Sequence, residues 1–301
     1  MTPNVSVLLP VYNCEAYVTE AIDSILGQTF KDFELVIIND GSTDSSEEII
    51  LSYSDHRIRY EKNALNSGII TTLNRGLRLC RGKYIARMDA DDISYPTRLQ
   101  KQVDFLDSHS EIGVLGSAVQ CFSSSGLGEI MCYETNPHKL FSSFLFAESS
   151  MLAHPAVMMR RDLFLANDIQ YSDSYLHAED YSLWNELKYV SQLSNLEEPL
   201  LLYRLHGDSI SCSFCQAQTE ARAKIALSEY KKLIREDLHE YENMSAKDIF
   251  VHLKIRQLNK LFWALTRNIG LSNAMILIFN SLLKAKVFPI IIKLKNSLKR
   301  R

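Results

Sequence analysis

Glycine and proline are scarce, with 11 and 7 residues in a chain of 301. That excludes collagen-like repeats and low-complexity disordered chains. No run of 18 or more residues is both uncharged and apolar enough to cross a bilayer cleanly, so no membrane span is expected. The opening MTPNVSVLLPVYN has no basic segment ahead of its apolar run, so no secretory leader is expected either. No GxGxxG follows that run and no GxxxxGK[ST] occurs anywhere, which disfavours dinucleotide and P-loop sites. The cysteines (Cys14, Cys80, Cys121, Cys132, Cys212 and Cys215) are expected to be reduced thiols of a cytoplasmic protein. Cys212-Ser213-Phe214-Cys215 has metal-like or redox spacing, but no second pair accompanies it. Acidic residues are missing after Asp248: the net charge is −3, residues 249–301 carry +11, and the first 248 residues therefore carry −14. An acidic body with a basic, apolar tail suits an anionic membrane surface better than nucleic acid, which the body would repel.

What is present is a βα rhythm. Apolar runs begin near positions 5, 33, 58, 84 and 113, each short enough for a buried strand. Between them lie helical faces: Val18, Ala21, Ile22, Ile25 and Leu26; then Ile70, Leu73 and Leu77; then Leu99, Val103 and Leu106. Asp44 with Glu47 predicts a capping-box start for a further helix. This pattern predicts an α/β fold with a mostly parallel, Rossmann-like central sheet flanked by helices. Beyond 120 the rhythm loosens. Ser123–Gly128 reads as a turn or loop, Ala156–Met159 and Leu200–Arg204 as strands, and Ala178–Tyr189 as a helix. From 216 onward the pattern is helical, with Pro289 interrupting the last stretch.

Open α/β sheets bind ligands beyond the carboxyl ends of their strands. There the chain places Pro10-Val11-Tyr12-Asn13, Asp40-Gly41-Ser42, Asn66-Ser67-Gly68 and Asp89-Ala90-Asp91-Asp92. Turns and caps account for much of this polarity. Three carboxylates within four residues are different, because they repel unless a cation lies between them. Magnesium or manganese takes oxygen ligands and bridges one or two carboxylates to substrate phosphates. With no glycine nest on offer, a metal is the expected holder of a diphosphate. Glu179-Asp180 at a helix start reads either as a dipole partner or as a general base. Arg204 and His206 could meet phosphate and metal.

The segments VSVLLPVYNCEAYVTEAIDSILGQTFKDFELVIINDGSTD, NSGIITTLNRGL, RGKYIARMDADD, HPAVMMRRDLF, HAEDYSLW and YRLHGDSIS occur in order over residues 4–211. Together they resemble the inverting GT-A-fold glycosyltransferase family 2 of bacterial polysaccharide assembly. The resemblance implies a catalytic domain over 1–211, divided into a nucleotide-sugar half (1–120) and an acceptor half (121–211), and a helical region over 212–301. It implies that Pro10 and Tyr12 border the base, with Val11 and Asn13 beside them, that Asp40 accepts from the base imide, and that Asn66 lies near the same half of the nucleotide. Asp89 and Asp91 match a DxD motif spanning Ala90, with Asp89 toward the ribose and Asp91 on the metal, and His206 matches a histidine that contacts metal or diphosphate. Asp180 would be the catalytic base with Glu179 beside it, and His154 would lie at the floor of the acceptor site.

The function so implied is transfer of a sugar from a nucleoside diphosphate donor, UDP- or dTDP-linked, to a hydroxyl of a surface polysaccharide or lipid-linked glycan. A nucleotide-sugar-binding protein without catalysis is the alternative. A phosphatase with Asp89 as nucleophile is disfavoured, because such motifs usually sit on the first strand. Residues 271–292 read as an amphipathic helix for the membrane interface at the cytoplasmic face, or as an apolar side for the catalytic domain or a second copy.

Overall fold

A computed structural model of the chain describes residues 2–144, 151–206 and 215–235, with six further helical positions at 260, 261, 265, 267, 274 and 275. Two compact units are present: residues 1–135 with 150–213, and residues 136–149 with 214–301.

The first unit is built on nine strands. They are β1 (Val5–Val11), β2 (Phe33–Asn39), β3 (Ile58–Lys62), β4 (Tyr84–Arg87), β5 (Ile93–Ser94), β6 (Ile112–Ser123), β7 (Gly126–Met131), β8 (Met158–Arg160) and β9 (Gln192–Arg204). Their order is β3-β2-β1-β4-β8-β6-β9-β5, with β7 paired to β6. The helices are α1 (Val18–Leu26), α2 (Ser46–Leu51), α3 (Ile69–Leu79), α4 (Arg98–Ser108), α6 (Arg161–Asn167) and α7 (Glu179–Leu187). In the second unit, α5 (Pro137–Ser143) and α8 (Cys215–Ile234) are described.

Every residue of β1 and β2 is buried. A parallel strand covered on both faces needs a continuous apolar run, and VSVLLPV and FELVIIN supply it. The pairs β1–β2, β1–β4 and β2–β3 are parallel, so the ends of these four strands share one edge. β8 then runs antiparallel to both β4 and β6, and the second half of the sheet is mixed. The apolar stripe of α1 (Val18, Ala21, Ile22, Ile25) is buried in the main core with Leu9, Leu35 and Ile37. Each such valine, leucine or isoleucine contributes about 1.5–3 kcal/mol by leaving water.

Several expectations need correction. The helix at α2 has no capping box: the Asp44 carboxylate accepts from the amides of Glu15 (3.0 Å) and Ser46 (3.0 Å), while Glu47 turns to Tyr60 and Lys62. Within Ser123–Gly128 only Ser124 and Ser125 form the turn, a hairpin tip between β6 and β7, and Gly126–Gly128 already belong to β7. The strand expected at Ala156–Met159 begins at Met158, after a 3-10 turn over His154–Ala156. The strand expected from Leu200 begins at Gln192. Of residues 271–292 only the helical positions Ala274 and Met275 are described, and the basic stretch after them and Cys212 lie outside the described residues. Cys14, Cys80, Cys121 and Cys132 are free thiols.

Candidate active site

The carboxyl edge of β1, β2 and β4 is knitted together by its own loops. Pro10 and Val11 end β1 in the interior, while Tyr12 projects with 47% of its surface exposed. Asn13 sits at φ 47°, a left-handed conformation that asparagine tolerates better than most residues. Its amide donates to Ser42 Oγ (3.0 Å) and its Oδ1 accepts from the Thr43 amide (2.9 Å). The loops after β1 and β2 are thus fastened to each other, which leaves the Tyr12 ring at the surface.

Asp40, the residue after β2, is 4% exposed. Its Oδ1 accepts from Asn63 Nδ2 (2.7 Å) and the Ser67 amide (2.9 Å), and its Oδ2 from the Gly68 amide (3.0 Å). Three donors leave one acceptor position on Oδ2. Gly41 follows at φ 71°, and a Cβ there would lie 2.7 Å from the backbone of Leu65, so only glycine lets the two loops close. Asn66 is exposed, and its Oδ1 is held by the Gly68 amide (3.0 Å).

After β4 the chain brings Asp89, Asp91 and Asp92 together, with one oxygen of each within 4.8 Å of the others. Asp92 is 1% exposed; its Oδ1 accepts from the Arg204 amide (2.8 Å), and its Oδ2 is buried without a hydrogen-bond partner. Burial, then Asp89 and Asp91, pushes the Asp92 carboxyl well above the usual carboxylate range. Burial also raises Asp89, against the pull of Arg87, which is ion-paired to it. Arg87 is 5% exposed, and fully buried Arg98 donates to the Arg87 carbonyl (2.7 Å) and to Ser94 Oγ (3.0 Å). Two interior guanidiniums therefore offset part of the charge of three crowded carboxylates.

Asp91 Oδ2 lies 2.9 Å from His206 Nε2, and His206 Nδ1 is buried without a partner. Ala90, between the two aspartates of the motif, is buried. The donor set fits a hard divalent cation: clustered oxygens, an unsatisfied Asp92 Oδ2 and carboxyls whose protonation is favoured while no cation balances them.

Glu179 and Asp180 open α7 and act electrostatically on the same cluster, Asp180 raising Asp89. Burial, followed by Asp180, lifts the Glu179 carboxyl to about 7, and its Oε2 is buried without a hydrogen bond. Asp180 Oδ1 accepts from the Tyr181 amide (2.6 Å). His154 Nε2 lies 2.8 Å from the Tyr171 hydroxyl and its ring meets the edge of Trp184 at 5.8 Å. Burial and the nearby Arg87 hold His154 well below the usual histidine range, so it is neutral.

Tyr171 and Arg87 carry no sequence signal, and Arg204, expected to meet phosphate, is engaged within the protein instead. Tyr171 is fixed through reciprocal bonds of its backbone with the Asn74 side chain (2.8 Å each). Arg204 is sandwiched by Tyr17 and Phe122 at 4.6 and 4.4 Å, donates to the Asp91 carbonyl (2.6 Å) and pairs with Glu20, so its charge is committed inside the protein. Arg87 looks in the sequence like any basic residue closing a strand.

A mixed sheet with a parallel half, an acidic cluster after its fourth strand and a carboxylate pair electrostatically coupled to that cluster make up a fold of the GT-A type. Residues 6–166 match the profile of Glycosyl transferase family 2, and the chain belongs to that family. It is 36% identical to an uncharacterized glycosyltransferase of Haemophilus influenzae over 83% of this chain and 77% of that one. It is 32% identical to the putative glycosyltransferase EpsE of Bacillus subtilis, covering 77% of this chain and 89% of the relative. It is also 32% identical to the O-antigen biosynthesis glycosyltransferase WbnJ of Escherichia coli, over 68% and 81%. The fold is shared with S. aureus TarS 1-349, solved with UDP-GlcNAc (TM-score 0.62, 20% identity, 94% of this chain and 90% of that one). It is shared as well with the mannosyltransferase PcManGT of Pyrobaculum calidifontis, solved with GDP-Man and Mn2+ (TM-score 0.56, 16% identity, 99% and 80%).

Proposed function

We propose that the protein transfers one sugar, with inversion, from a UDP- or dTDP-sugar to a hydroxyl of a growing surface polysaccharide or lipid-linked glycan. The observation that carries this reading is the cluster of Asp89, Asp91 and Asp92, electrostatically coupled to the carboxylates of α7. Tyr12 and Pro10 border the base, Asn13 and Asn66 stand on either side, and the open acceptor position on Asp40 Oδ2 meets the imide of a pyrimidine. Asp91, which lies against His206, would be the main ligand of a manganese or magnesium ion, and Asp89 would serve the ribose. Such an ion acts as a Lewis acid on the leaving diphosphate.

The remaining work falls to side chains. Asp180 takes the proton of the attacking hydroxyl, because a carboxylate across the sugar ring from the leaving group delivers the acceptor to the opposite face. A diphosphate leaves without help from an acid, so one base suffices where a glycosidase needs two carboxyls. Glu179, raised to about 7, is partly protonated near neutrality and can donate to a sugar oxygen. Neutral His154, fixed by Tyr171, forms the floor of the acceptor site without adding charge. Among the described residues no helix is long and apolar enough to cross a membrane. The basic residues beyond 248 would hold the protein against the inner face of the cell membrane, or the apolar side of 271–292 would pack against a second copy.

A thermal-shift screen of UDP-, dTDP- and GDP-sugars with manganese, followed by NMR of the product anomer, tests this reading. Stabilisation by a UDP- or dTDP-sugar and an inverted product support it. Binding of GDP-sugars alone overturns the role given to Asp40, and transfer unchanged in Asp180→Asn overturns the base.

A further inference from the structure

β9 ends at Arg204, and the chain leaves the sheet there. The Leu205 amide still donates to the Phe122 carbonyl of β6 (2.8 Å), and His206 follows one residue beyond that bond. A side chain just past the end of a strand is held in place only where something ties it down. His206 is nevertheless set on the acidic loop: its Nε2 lies 2.9 Å from Asp91 Oδ2, and its ring stands 5.3 Å from that of Tyr17, tilted by 31°.

Arg204 supplies the tie. Its amide donates to Asp92 Oδ1 (2.8 Å) and its Nε to the Asp91 carbonyl (2.6 Å), so one residue grips both a side chain and the backbone of the acidic loop. Its guanidinium carbon lies over the rings of Tyr17 (4.6 Å) and Phe122 (4.4 Å), and Nη2 pairs with Glu20 in the first turn of α1. Tyr17, just ahead of α1, therefore meets both Arg204 and His206. A planar fork can stack on two rings while its edges reach a carbonyl and a carboxylate, which a point-like ammonium cannot do. A fixed positive charge beside a cation site also opposes cation binding by repulsion. Its presence there calls for a gain that outweighs the repulsion.

We infer that Arg204 is a positioning residue for the cation site: it fastens the end of β9 to the acidic loop and to α1, and so keeps His206 against Asp91. This role rests on Asp91 and His206 serving a divalent cation, as proposed above. Arg204 itself touches neither cation nor nucleotide, and its effect passes through His206 and the Asp91 backbone. The gain is preorganisation, because a ligand already seated need not be ordered when the ion arrives.

Manganese uptake by the full chain with saturating UDP, read from the EPR signal of the free ion, tests this. Arg204→Met should weaken uptake about 10–100-fold. Loss of a repelling charge by itself would tighten it, so the sign of the change separates the two effects. Arg204→Lys keeps the charge without the fork and should recover part of the uptake. In a His206→Ala background, Arg204→Met should add about twofold or less, since a residue acting through His206 has little left to position. Phe122→Leu changes no charge and removes one face of the sandwich at a half-buried position; it should weaken uptake about two- to fivefold with Tm close to the parent's, and it decides alone should Arg204→Met not fold. Uptake unchanged or tightened in Arg204→Met, or in Phe122→Leu where the first does not fold, would overturn the role, as would losses that multiply in the double variant. No uptake by the parent itself would remove the cation site, and the role of Arg204 with it.

Discussion

The two ends of the same parallel strands treat charge in opposite ways. At the amino ends, charges are largely matched: Glu34 is held by Arg81 and Ser6, and Asp107 by Lys83 and the Tyr84 hydroxyl (2.6 Å). These contacts pull Glu34 and Asp107 below the usual carboxylate range. At the carboxyl ends, Asp89 and Asp92 crowd against Asp91 and are pushed up instead. Matched pairs serve the fold. A cluster of like charges retained in the interior costs stability, and that cost is characteristic of a site built for a ligand not yet bound.

The contrast can be broken by substitution. The largest effect is expected for Asp180→Asn and Asp91→Asn, each lowering kcat/KM by about 10²–10⁴-fold with Tm unchanged or raised, since a repelling charge is removed. Steady-state kinetics beside thermal melts would show it; a fall in Tm matching the loss of rate would point to a structural role. Next is Arg87→Met, which strips the interior cation from Asp89 and should cost about 3–5 kcal/mol. Adding Asp92→Asn should restore part of that loss in denaturant titrations. At the amino ends, Glu34→Gln should cost about 1.5–3 kcal/mol with little effect on catalysis.

The pH dependences have opposite signs. Glu34 is depressed in the fold, so its stabilisation is present above its ordinary value of 4.5 and is lost as pH falls through the lower folded value. Glu34→Gln should flatten that acid limb. Glu179 is raised to about 7, so the folded protein holds its proton more tightly, and stability falls as pH rises from 4.5 to about 7. Glu179→Gln should therefore gain Tm relative to the parent above pH 7 and lose that advantage below about 4.5. Equal Tm differences at both ends of the range would remove Glu179 from the coupled group.

What could be read in the sequence follows from burial. β1, β2 and β4 are covered on both faces and announce themselves as apolar runs, so the loops at their ends, and with them Asp40, Asp89 and Asp91, could be placed on one edge beforehand. β7 is exposed along nearly its whole length and leaves no apolar pattern. β9 carries Glu197, Glu198 and Pro199 in its middle, which hid its first eight residues. Asp44 and Glu47 have capping-box spacing, yet the Asp44 carboxylate bridges the amides of Glu15 and Ser46, and Glu47 pairs with Tyr60 and Lys62. The roles of Arg87, Arg204 and Tyr171 depend on contacts between distant segments, and no local spacing encodes them.

Manganese binding, followed by the EPR signal of the free ion in the presence of UDP, tests the central claim most directly. The parent protein should take up one ion together with UDP, and Asp91→Asn should lose that uptake. Tight UDP binding and full transfer in the presence of a chelator, with no ion taken up, would contradict the assignment of the aspartate cluster.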